Sequence, residues 1–328
     1  MTLTPNKLET SATATYTTTD GKAILNNGAV ETTTHYAESV LLNNQQDYDF
    51  KKIAIIGCGY VGMALAPHWQ KQGHFVTATT TRQERVTELE KVATQVVVMR
   101  GENSQAMGSL LQNQDTVMLS IAPIRNRQID AQAYRETYIP TAQNLVAALK
   151  DTQSVKQVIY LSSCSLYGDK KGERVDEASP VDTTSEYNQV LFQTEQLLLD
   201  SASENIKVCI LRLGGIYGPK RELTSRLAQI AGQTIPGNGE SIFGWIHLED
   251  IIAAINFLVQ RRLGGIYNLV NDLNLPIREI YDLVCDRQGL ERIRWDASQP
   301  DVRPFNVRIE NQKIKAAGYK LIHPEMIV

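Results

Sequence analysis

The sequence lacks several features that would assign it to a specialised class. Only four of its 328 residues are cysteine, and they lie far apart without a CxxC pair. This argues against a zinc site or a disulfide framework and fits a reducing compartment. No apolar run approaches the roughly 20 residues that a membrane helix needs, and the N-terminus does not read as a secretory signal. We therefore expect a cytoplasmic protein with no membrane contact and no metal.

Charge of one sign is also scarce. The 33 basic residues nearly balance the 36 acidic ones, for a net charge of −3, and no long block of like charge occurs. A nucleic-acid-binding surface would need clustered Lys and Arg, so we expect a small-molecule substrate instead. Hydrophobic residues make up 42% of the chain, which is ample for a large core.

The first 50 residues differ from the rest. They are crowded with Thr, Ser, Asn and Gln and show little periodic hydrophobicity, so they bury too little apolar surface to offset the entropy of ordering. A transit peptide would be rich in Arg and poor in acid, whereas the first arginine here is Arg82. Residues 1–50 are predicted to form a flexible extension or an arm on the surface.

From residue 51 onward, short apolar runs alternate with amphipathic helical patterns. The predicted strands are KKIAIIG, HFVTATT, TQVVVM, DTVMLSIA, QVIYLSS and KVCILRLG. Such alternation is typical of an α/β fold with a Rossmann-type, doubly wound parallel sheet. Helices near 248–262 and 276–287 and the strand GGIYNLV are assigned to a small C-terminal substrate lobe, mainly residues 219–328, that closes over the carboxyl edge of the sheet.

A glycine-rich turn directly follows the first strand. Gly57, Gly59 and Gly62 form G-x-G-x-x-G, with Cys58, Tyr60 and Val61 at the intervening positions. The first glycine permits the tight turn, the second lets backbone approach a pyrophosphate, and the third lets helix pack on strand. Free N–H groups at the helix start then bind phosphate. We predict a nicotinamide dinucleotide here, with Ser120, Ala122 and Pro123 after the fourth strand lining the same cleft.

The end of the second strand bears on which dinucleotide binds. An NAD site usually has an acidic residue there to hold the ribose hydroxyls, but this strand ends in Thr80, Thr81 and Arg82. A guanidinium can pair with a 2′-phosphate, so NADP is favoured over NAD. The alternative is that Arg82 merely opens a solvated helix.

Further motifs carry a family resemblance. In chain order they are Leu161–Gly168 (LSSCSLYG), Ser185–Tyr187 (SEY), Leu211–Pro219 (LRLGGIYGP), Trp245–Asp250 (WIHLED) and Tyr267–Leu269 (YNL). Together they resemble the extended short-chain dehydrogenase/reductases, the NAD-dependent epimerase/dehydratase family. The resemblance runs from about residue 51 to 320.

The resemblance implies roles for particular residues. Ser163 matches the hydroxyl that holds the carbinol or carbonyl oxygen of the substrate, and Tyr187 matches the general acid/base and a cofactor contact. Leu213, Gly214 and Gly215 are expected beside the cofactor. Family members often dimerise through the tyrosine helix, so a homodimer is an open expectation, and the pattern Val190, Leu191, Leu197 and Leu198 permits it.

One departure from the family pattern concerns the chemistry. The family has a lysine four residues after its tyrosine, and this chain has Leu191. The lysine's implied roles are to lower the phenol's pKa and to bind the nicotinamide ribose, and leucine supplies neither. Tyr187 could still act as an acid in carbonyl reduction. A cation from Lys170, Lys171 or Arg212 could substitute, or the chain could bind the dinucleotide without turnover.

A second departure narrows the reaction. Sugar-nucleotide dehydratases of the family carry Asp-Glu after the Ser/Thr, and here those positions are Cys164 and Ser165. A 4,6-dehydratase mechanism is therefore disfavoured. Two hypotheses remain open. The first is an NAD(P)-dependent oxidoreductase acting on a carbonyl or alcohol, with sugar nucleotides as one candidate class, and the second is a non-catalytic NADP(H)-binding sensor or regulatory protein.

Overall fold

The structure, a computed structural model, describes residues 15–19, 22–26, 50–123, 130–301 and 305–326. The chain separates into two units, one ending at Asp47 and the other beginning at Tyr48. In the first unit, strands β1 (Thr15–Thr19) and β2 (Lys22–Asn26) pair antiparallel, as the β-branched residues of β1 favour. The predicted flexibility of residues 1–50 otherwise falls outside the described residues and stays a prediction.

The second unit is built on a large parallel sheet. Its strands are β3 (Lys52–Ile56), β4 (Phe75–Thr80), β5 (Gln95–Val98), β6 (Thr116–Leu119), β7 (Gln157–Ser163), β9 (Lys207–Leu213) and β13 (Gly265–Leu269). They lie in the order β13-β9-β7-β6-β3-β4-β5, and each pairing is parallel. The strand order reverses at β3, the position at which open α/β sheets bind ligands. The predicted Rossmann-type doubly wound sheet is confirmed.

Helices cover both faces of this sheet. They are α1 (Tyr60–Lys71), α2 (Val86–Leu89), α3 (Ser104–Leu111), α4 (Ala131–Lys150), α5 (Glu186–Leu199) and, after the lobe helix α6 (Leu223–Ala228), α7 (Leu248–Arg261). Because side chains alternate along a strand, Ile53 and Ile55 of β3 join one core with α1 and α7. Ala54 and Ile56 join the other, with α3, α4 and α5.

The C-terminal lobe consists of short elements. They are β8 (Arg174–Val175), β10 (Gly215–Tyr217), β11 (Thr234–Pro236), β12 (Trp245–His247), α8 (Ile277–Gln288), β14 (Arg294–Asp296), β15 (Arg308–Ile309) and α9 (Gln312–Ala316). The short strands pair parallel as β10–β12, β11–β14 and β8–β15. A separate core packs α6 and α8 around Trp245. No helix in the described part of the chain is long and apolar enough to cross a bilayer.

One assignment to the lobe was wrong. The strand GGIYNLV is β13, and it extends the large sheet by pairing with β9. Helix α7, also assigned to the lobe, packs on the same face of that sheet as α1. A five-residue apolar strand fits a lobe or a sheet edge equally well in sequence, because its pairing partner lies about 50 residues away.

Candidate active site

The glycine turn after β3 has the geometry that its sequence predicts. Gly57 has φ +83°, and a Cβ there would lie 2.6 Å from the carbonyl oxygen of Ser120. Its N–H donates to Thr79 Oγ1 at 3.0 Å, and the Cys58 N–H donates to the Thr79 carbonyl. No side chain larger than hydrogen fits at Gly57, since both the backbone angle and the space exclude one.

The other two glycines serve different ends. A Cβ at Gly59 would meet nothing closer than the Gly57 carbonyl oxygen at 4.0 Å, so this side of the turn is open. A Cβ at Gly62 would lie 3.1 Å from both Cys58 Sγ and Ile55 Cγ2, so this glycine lets α1 pack on β3. Gly59 N-caps α1 with no side chain, which leaves the first amides of the helix bare. An open surface of bare amides fits a diphosphate.

The residues between the glycines contribute backbone. Cys58 and Val61 are buried in the core between β3 and α1, so each can offer a ligand only its main chain. Tyr60 instead reaches across the sheet edge, where its hydroxyl donates to the Pro219 carbonyl oxygen at 2.8 Å. The guanidinium of Arg221 lies 4.0 Å from the centre of the Tyr60 ring. Burial raises the pKa of the Tyr60 phenol, so it stays a donor at neutral pH.

The end of β4 presents the predicted arginine to solvent. Thr80 accepts the Arg82 N–H on its hydroxyl at 3.2 Å, and Thr81 is exposed. The Arg82 side chain is half exposed and lies 3.8 Å from Glu84. Its position at the end of the second strand agrees with either reading of its role, as a phosphate ligand or as the start of a solvated helix.

A second arginine was missed by the sequence analysis. A single 3₁₀ turn, Gln83–Arg85, folds Arg85 back towards the glycine turn, where its Nη1 donates to the Cys58 carbonyl oxygen at 2.8 Å. Its Nε pairs with Glu88 at 3.0 Å. The only sequence signal was a basic residue three positions after Arg82, a common spacing on exposed turns, so spacing alone could not single it out.

The carboxyl end of β6 closes the other side of the turn. The Ser120 N–H donates to the Ile56 carbonyl, and its own carbonyl packs against Gly57. Ala122 is exposed and Pro123 is buried. The carbonyl oxygen of Ile121, between Ser120 and Ala122, accepts the Tyr138 hydroxyl at 2.9 Å. The segment therefore lies beside the glycine turn, as predicted, and contact with a cofactor stays a prediction.

Ser163 lies at the last position of β7, on the carboxyl edge of the sheet. Its Oγ accepts the Ser165 N–H at 3.1 Å and so caps the 3₁₀ helix Cys164–Tyr167. A hydroxyl can accept and donate at once, so this bond leaves the Ser163 proton available to a substrate oxygen.

Tyr187 occupies the first turn of α5 and is 41% exposed. Its ring stands edge-on to Tyr134 of α4, with centroids 5.2 Å apart and planes at 88°. The next residue, Asn188, is buried and donates its amide to the carbonyl oxygens of Ser165 (3.1 Å) and Asp182 (2.9 Å). Asn188 thereby fixes the start of α5 to the turn that Ser163 caps. The structure thus brings Ser163 and Tyr187 to one edge through a residue that sequence reasoning missed.

A buried polar network lies behind these two residues. Glu195, two turns after Tyr187, pairs with Arg212 of β9 at 2.7 Å and accepts the Ser162 hydroxyl at 2.6 Å. Arg212 also donates to the Tyr167 hydroxyl at 3.0 Å, and burial raises the pKa of that phenol to about 12. Tyr167 in turn donates to Asn268 at 2.7 Å. The network ties α5 to three neighbouring strands of the sheet.

The position of Arg212 in this network bears on the prediction that a cation from elsewhere in the chain acts beside Tyr187. Arg212 was a candidate for the role of the missing lysine, but its guanidinium is held by Glu195 and Tyr167 and is 2% exposed. Each of its three guanidinium nitrogens donates to a buried partner, so the structure gives no support for Arg212 in that role. Hydrogen bonds from Thr184 lower the pKa of Asp182, and the charge of Lys170 lowers it further by a smaller amount. Lys171 is exposed.

Comparison with known proteins agrees with this geometry. The model of the NAD dependent epimerase/dehydratase family matches residues 53–269, which span the glycine turn, Ser163, Tyr187 and β13. The chain belongs to the NAD dependent epimerase/dehydratase family. Protein YeeZ of Escherichia coli K12 is 31% identical over 246 residues, which cover 74% of this chain and 85% of YeeZ.

Solved structures share the fold of this family member. UDP-glucose 4-epimerase from Thermotoga maritima has a TM-score of 0.70 at 19% identity, covering 82% of this chain and 93% of that one. MoeE5, solved in complex with UDP-glucose and NAD, has a TM-score of 0.69 at 20% identity over the same shares. At these identities the likeness concerns the fold.

Two glycines of the family-like segment after β9 have a packing role. A Cβ at Gly214 would lie 2.7 Å from the Gly244 carbonyl oxygen, and one at Gly215 would lie 3.0 Å from the Trp245 ring. Both glycines therefore let β12 approach the sheet. With the buried Leu213, they could reach a cofactor only through backbone, and that contact stays a prediction.

Leu191, where the sequence resemblance leads us to expect a lysine, is part of the core. Leu191 is 7% exposed and packs with Val190 and Leu198 against the sheet. Their apolar pattern, read from sequence as compatible with a dimer face, is thus accounted for by the chain's own core. A homodimer stays a prediction.

Proposed function

We propose that the protein is an NAD(P)-dependent oxidoreductase of the epimerase/dehydratase type that acts on a carbonyl or alcohol group of a sugar nucleotide. The observation that carries this proposal is the pair of hydrogen bonds from Asn188, which fix the first turn of α5, the turn that holds Tyr187, to the 3₁₀ turn that Ser163 caps. MoeE5, with UDP-glucose and NAD bound, supports the substrate class.

The described residues fit a dinucleotide. The bare amides of α1 and the open side of Gly59 would hold the diphosphate. When bound, the nicotinamide supplies the hydride chemistry. The Ser163 hydroxyl would orient the reacting oxygen of the substrate, and Tyr187 would donate a proton to that oxygen as a carbonyl is reduced. In a reduction the phenol acts as the acid, so the proposed step does not require Tyr187 to work as a base.

NADP is the preferred cofactor in this proposal. Two guanidinium groups, those of Arg82 and Arg85, flank the end of β4 and the glycine turn, and no acidic residue ends this strand. A 2′-phosphate would gain charge-assisted hydrogen bonds there. A dehydratase reaction is not proposed, because Cys164 and Ser165 stand where family dehydratases carry Asp-Glu. The Cys164 thiol is buried and donates to the Arg212 carbonyl oxygen.

Two measurements on the full-length protein test the proposal. Calorimetric titration with NADPH and NADH should show binding of both, tighter for NADPH. A panel of UDP- and dTDP-linked ketosugars should then oxidise NADPH in the presence of the protein. Tyr187→Phe should abolish this turnover and still melt like the wild type, because the exposed hydroxyl contributes little to folding.

Tyr134→Phe is the matched control. It removes a hydroxyl from the ring that packs against Tyr187 and keeps the ring contact, so turnover should persist. Absence of affinity for both nucleotides would overturn the proposal, and equal turnover in wild type and Tyr187→Phe would remove the role of the phenol.

A second function is favoured by one observation, the buried Leu191 at the lysine position. A protein that binds NADP(H) and reports its level to a partner needs the glycine turn and the arginines, and it does not need a proton-transfer tyrosine. For such a sensor, NADPH would bind as above, every substrate on the panel would fail, and Tyr187→Phe would change neither nucleotide nor partner binding.

A further inference from the structure

Three potential metal ligands converge at the amino end of α7. His247 is the last residue of β12, Glu249 lies in the first turn of α7, and His323 lies near the C-terminus. One ligand atom from each falls within 4.8 Å of the other two. Spacing along the chain does not indicate this group, because Glu249 and His323 are 74 positions apart.

The three side chains share one carboxylate oxygen. Glu249 Oε2 lies 2.6 Å from His323 Nε2 and 3.8 Å from His247 Nδ1. The two imidazole rings are nearly perpendicular, with centroids 4.4 Å apart. Ligands of a tetrahedral zinc ion lie roughly 3.4 Å from one another, so each of these two separations would change by less than about 1 Å. The ligand nitrogens of the two imidazoles lie within 4.8 Å of each other, so this third separation would have to shorten by at most about 1.4 Å.

The backbone that carries these ligands is held by a residue outside the group. Asp250 is fully buried and accepts the N–H groups of Ile322 (2.7 Å) and His323 (3.0 Å) and the hydroxyl of Tyr319 (2.9 Å). These bonds fix the C-terminal segment on the start of α7. His323 is therefore placed against Glu249 before any ion binds, which lowers the entropic cost of forming a site.

The His247 ring is available on the side facing Glu249. Its Nδ1 accepts the Glu249 N–H at 3.3 Å, beyond the usual 2.7–3.2 Å range, so a cation can displace this weak contact. The Glu249 side chain is 52% exposed, whereas those of the histidines are 9% and 13% exposed. Solvent thus reaches the group from the carboxylate side, where a water molecule could complete the coordination.

We propose that His247, Glu249 and His323 bind one divalent transition-metal ion, Zn²⁺ by preference, with water as the fourth ligand. Two imidazoles and a carboxylate are a common protein donor set for this ion. The ion would hold the C-terminal segment to the start of α7. Gly218 is close to this position, since a Cβ built on it would lie 3.1 Å from His247 Nε2. The proposal runs against the sequence-based expectation of no metal and is independent of the proposed function.

The test uses full-length, tag-free protein stripped with a chelator. Titration with ZnSO₄ should show one ion per chain with a micromolar or tighter dissociation constant, and the melting temperature should rise by several degrees. Co²⁺ should give a visible absorption band. Glu249→Gln and His323→Asn should each weaken Zn²⁺ binding by at least about tenfold. His68→Asn is the matched control, since His68 lies on α1 and contacts Gln72, and it should bind Zn²⁺ as the wild type does.

A simple ion pair between His323 and Glu249 predicts different results. Zn²⁺ would then bind the wild type no tighter than the His323→Asn variant, or His68→Asn would weaken binding as much as the ligand substitutions, and either result overturns the proposal. Melting curves and NADPH titrations of each variant show whether it is folded. If both ligand variants unfold, the wild-type stoichiometry and the Co²⁺ spectrum still decide, because weak or multiple binding without a band also overturns it.

Discussion

Arg212 and Glu195 form an ion pair that is almost completely removed from solvent. The Arg212 Nη2 and Glu195 Oε2 atoms are 2.7 Å apart, and the two side chains are 2% and 0% exposed. The pair joins β9 to α5 behind the candidate site. Because the remaining polar atoms bind Ser162 and Tyr167, the charges are compensated in place, as a buried pair requires.

Removing one charge of this pair should be costly. Glu195→Gln keeps the shape of the side chain and leaves the Arg212 guanidinium buried without a counter-charge, so we expect a loss of about 3–5 kcal/mol in the free energy of unfolding. Urea denaturation measures it. Asp286→Asn, in an exposed pair with Arg292, is the control and should hardly move the midpoint. Similar midpoints for both variants would contradict the prediction.

The glycines of the turn should separate folding from binding. Gly57→Ala places a methyl group 2.6 Å from the Ser120 carbonyl at positive φ, so it should lower the melting temperature as well as nucleotide affinity. Gly59→Ala meets no protein atom closer than 4.0 Å, so it should melt like the wild type and lose at least about tenfold in NADPH affinity. Unchanged affinity in a folded Gly59→Ala protein would contradict a diphosphate at this turn.

The arginines after β4 should set the nucleotide preference. Arg82→Met and Arg85→Met should each weaken NADPH binding by about tenfold, since a charge-assisted hydrogen bond contributes about 1.5–3 kcal/mol, and should affect NADH much less. Arg100→Met, which removes an exposed partner of Glu102 after β5, is the control. Parallel losses for both nucleotides would show that the arginines support the turn and do not read the 2′-phosphate.

Replacing Leu191 by lysine tests whether this position limits the proposed proton transfer by Tyr187. An ammonium one turn after Tyr187 stabilises a phenolate, so in Leu191→Lys the pH at half-maximal alcohol oxidation should move down, and the rate at neutral pH should rise. Leu191→Met, similar in volume and uncharged, should leave the profile in place. Leu191 is buried, so both melting temperatures must be recorded. A profile that moves equally in both variants would point to packing.

The cysteines should be unreactive in the folded protein. All four are buried, and burial raises the pKa of Cys58 to about 12 and that of Cys164 further. At about pH 8 the thiolate fraction of Cys58 is then lower than that of an ordinary thiol by about 10³-fold. Iodoacetamide labelling read by mass spectrometry should modify none in native protein and all four in guanidinium chloride. Rapid native labelling of Cys58 would contradict its burial.

Local patterns in the sequence were enough to predict most of the large sheet. The six predicted apolar runs became β3, β4, β5, β6, β7 and β9, because continuous β-branched runs between helices have few other uses. The tight turn at Gly57 and the close packing at Gly62 were also predicted, since they depend on local backbone geometry, whereas the pyrophosphate contact of Gly59 stays a prediction. β13 was placed in the wrong layer, because only its pairing with β9 identifies it.

The residues that sequence analysis missed act over long distances or through common amide and carboxylate groups. Nothing in the sequence distinguishes Asn188 from other polar residues near Tyr187. Its hydrogen bonds to the carbonyl oxygens of Ser165 and Asp182 depend on the folded turn after β7. In sequence, Glu195 is typical of the exposed face of a helix, and only the folded structure shows that it is buried in an ion pair with Arg212 of β9. Pattern reading finds elements and motifs, whereas the supports of a site depend on tertiary contacts that no spacing encodes.

The hydrogen bond between the Tyr60 hydroxyl and the Pro219 carbonyl oxygen has a consequence for the rate of nucleotide release. It links the first residue of α1 to the start of the lobe, across 159 positions of sequence. Any movement that separates the lobe from the amides of α1, where we propose that a dinucleotide binds, has to break this hydrogen bond. We therefore expect the nucleotide to dissociate faster from Tyr60→Phe than from the wild type in stopped-flow measurements, because this variant lacks the hydroxyl that bonds to Pro219.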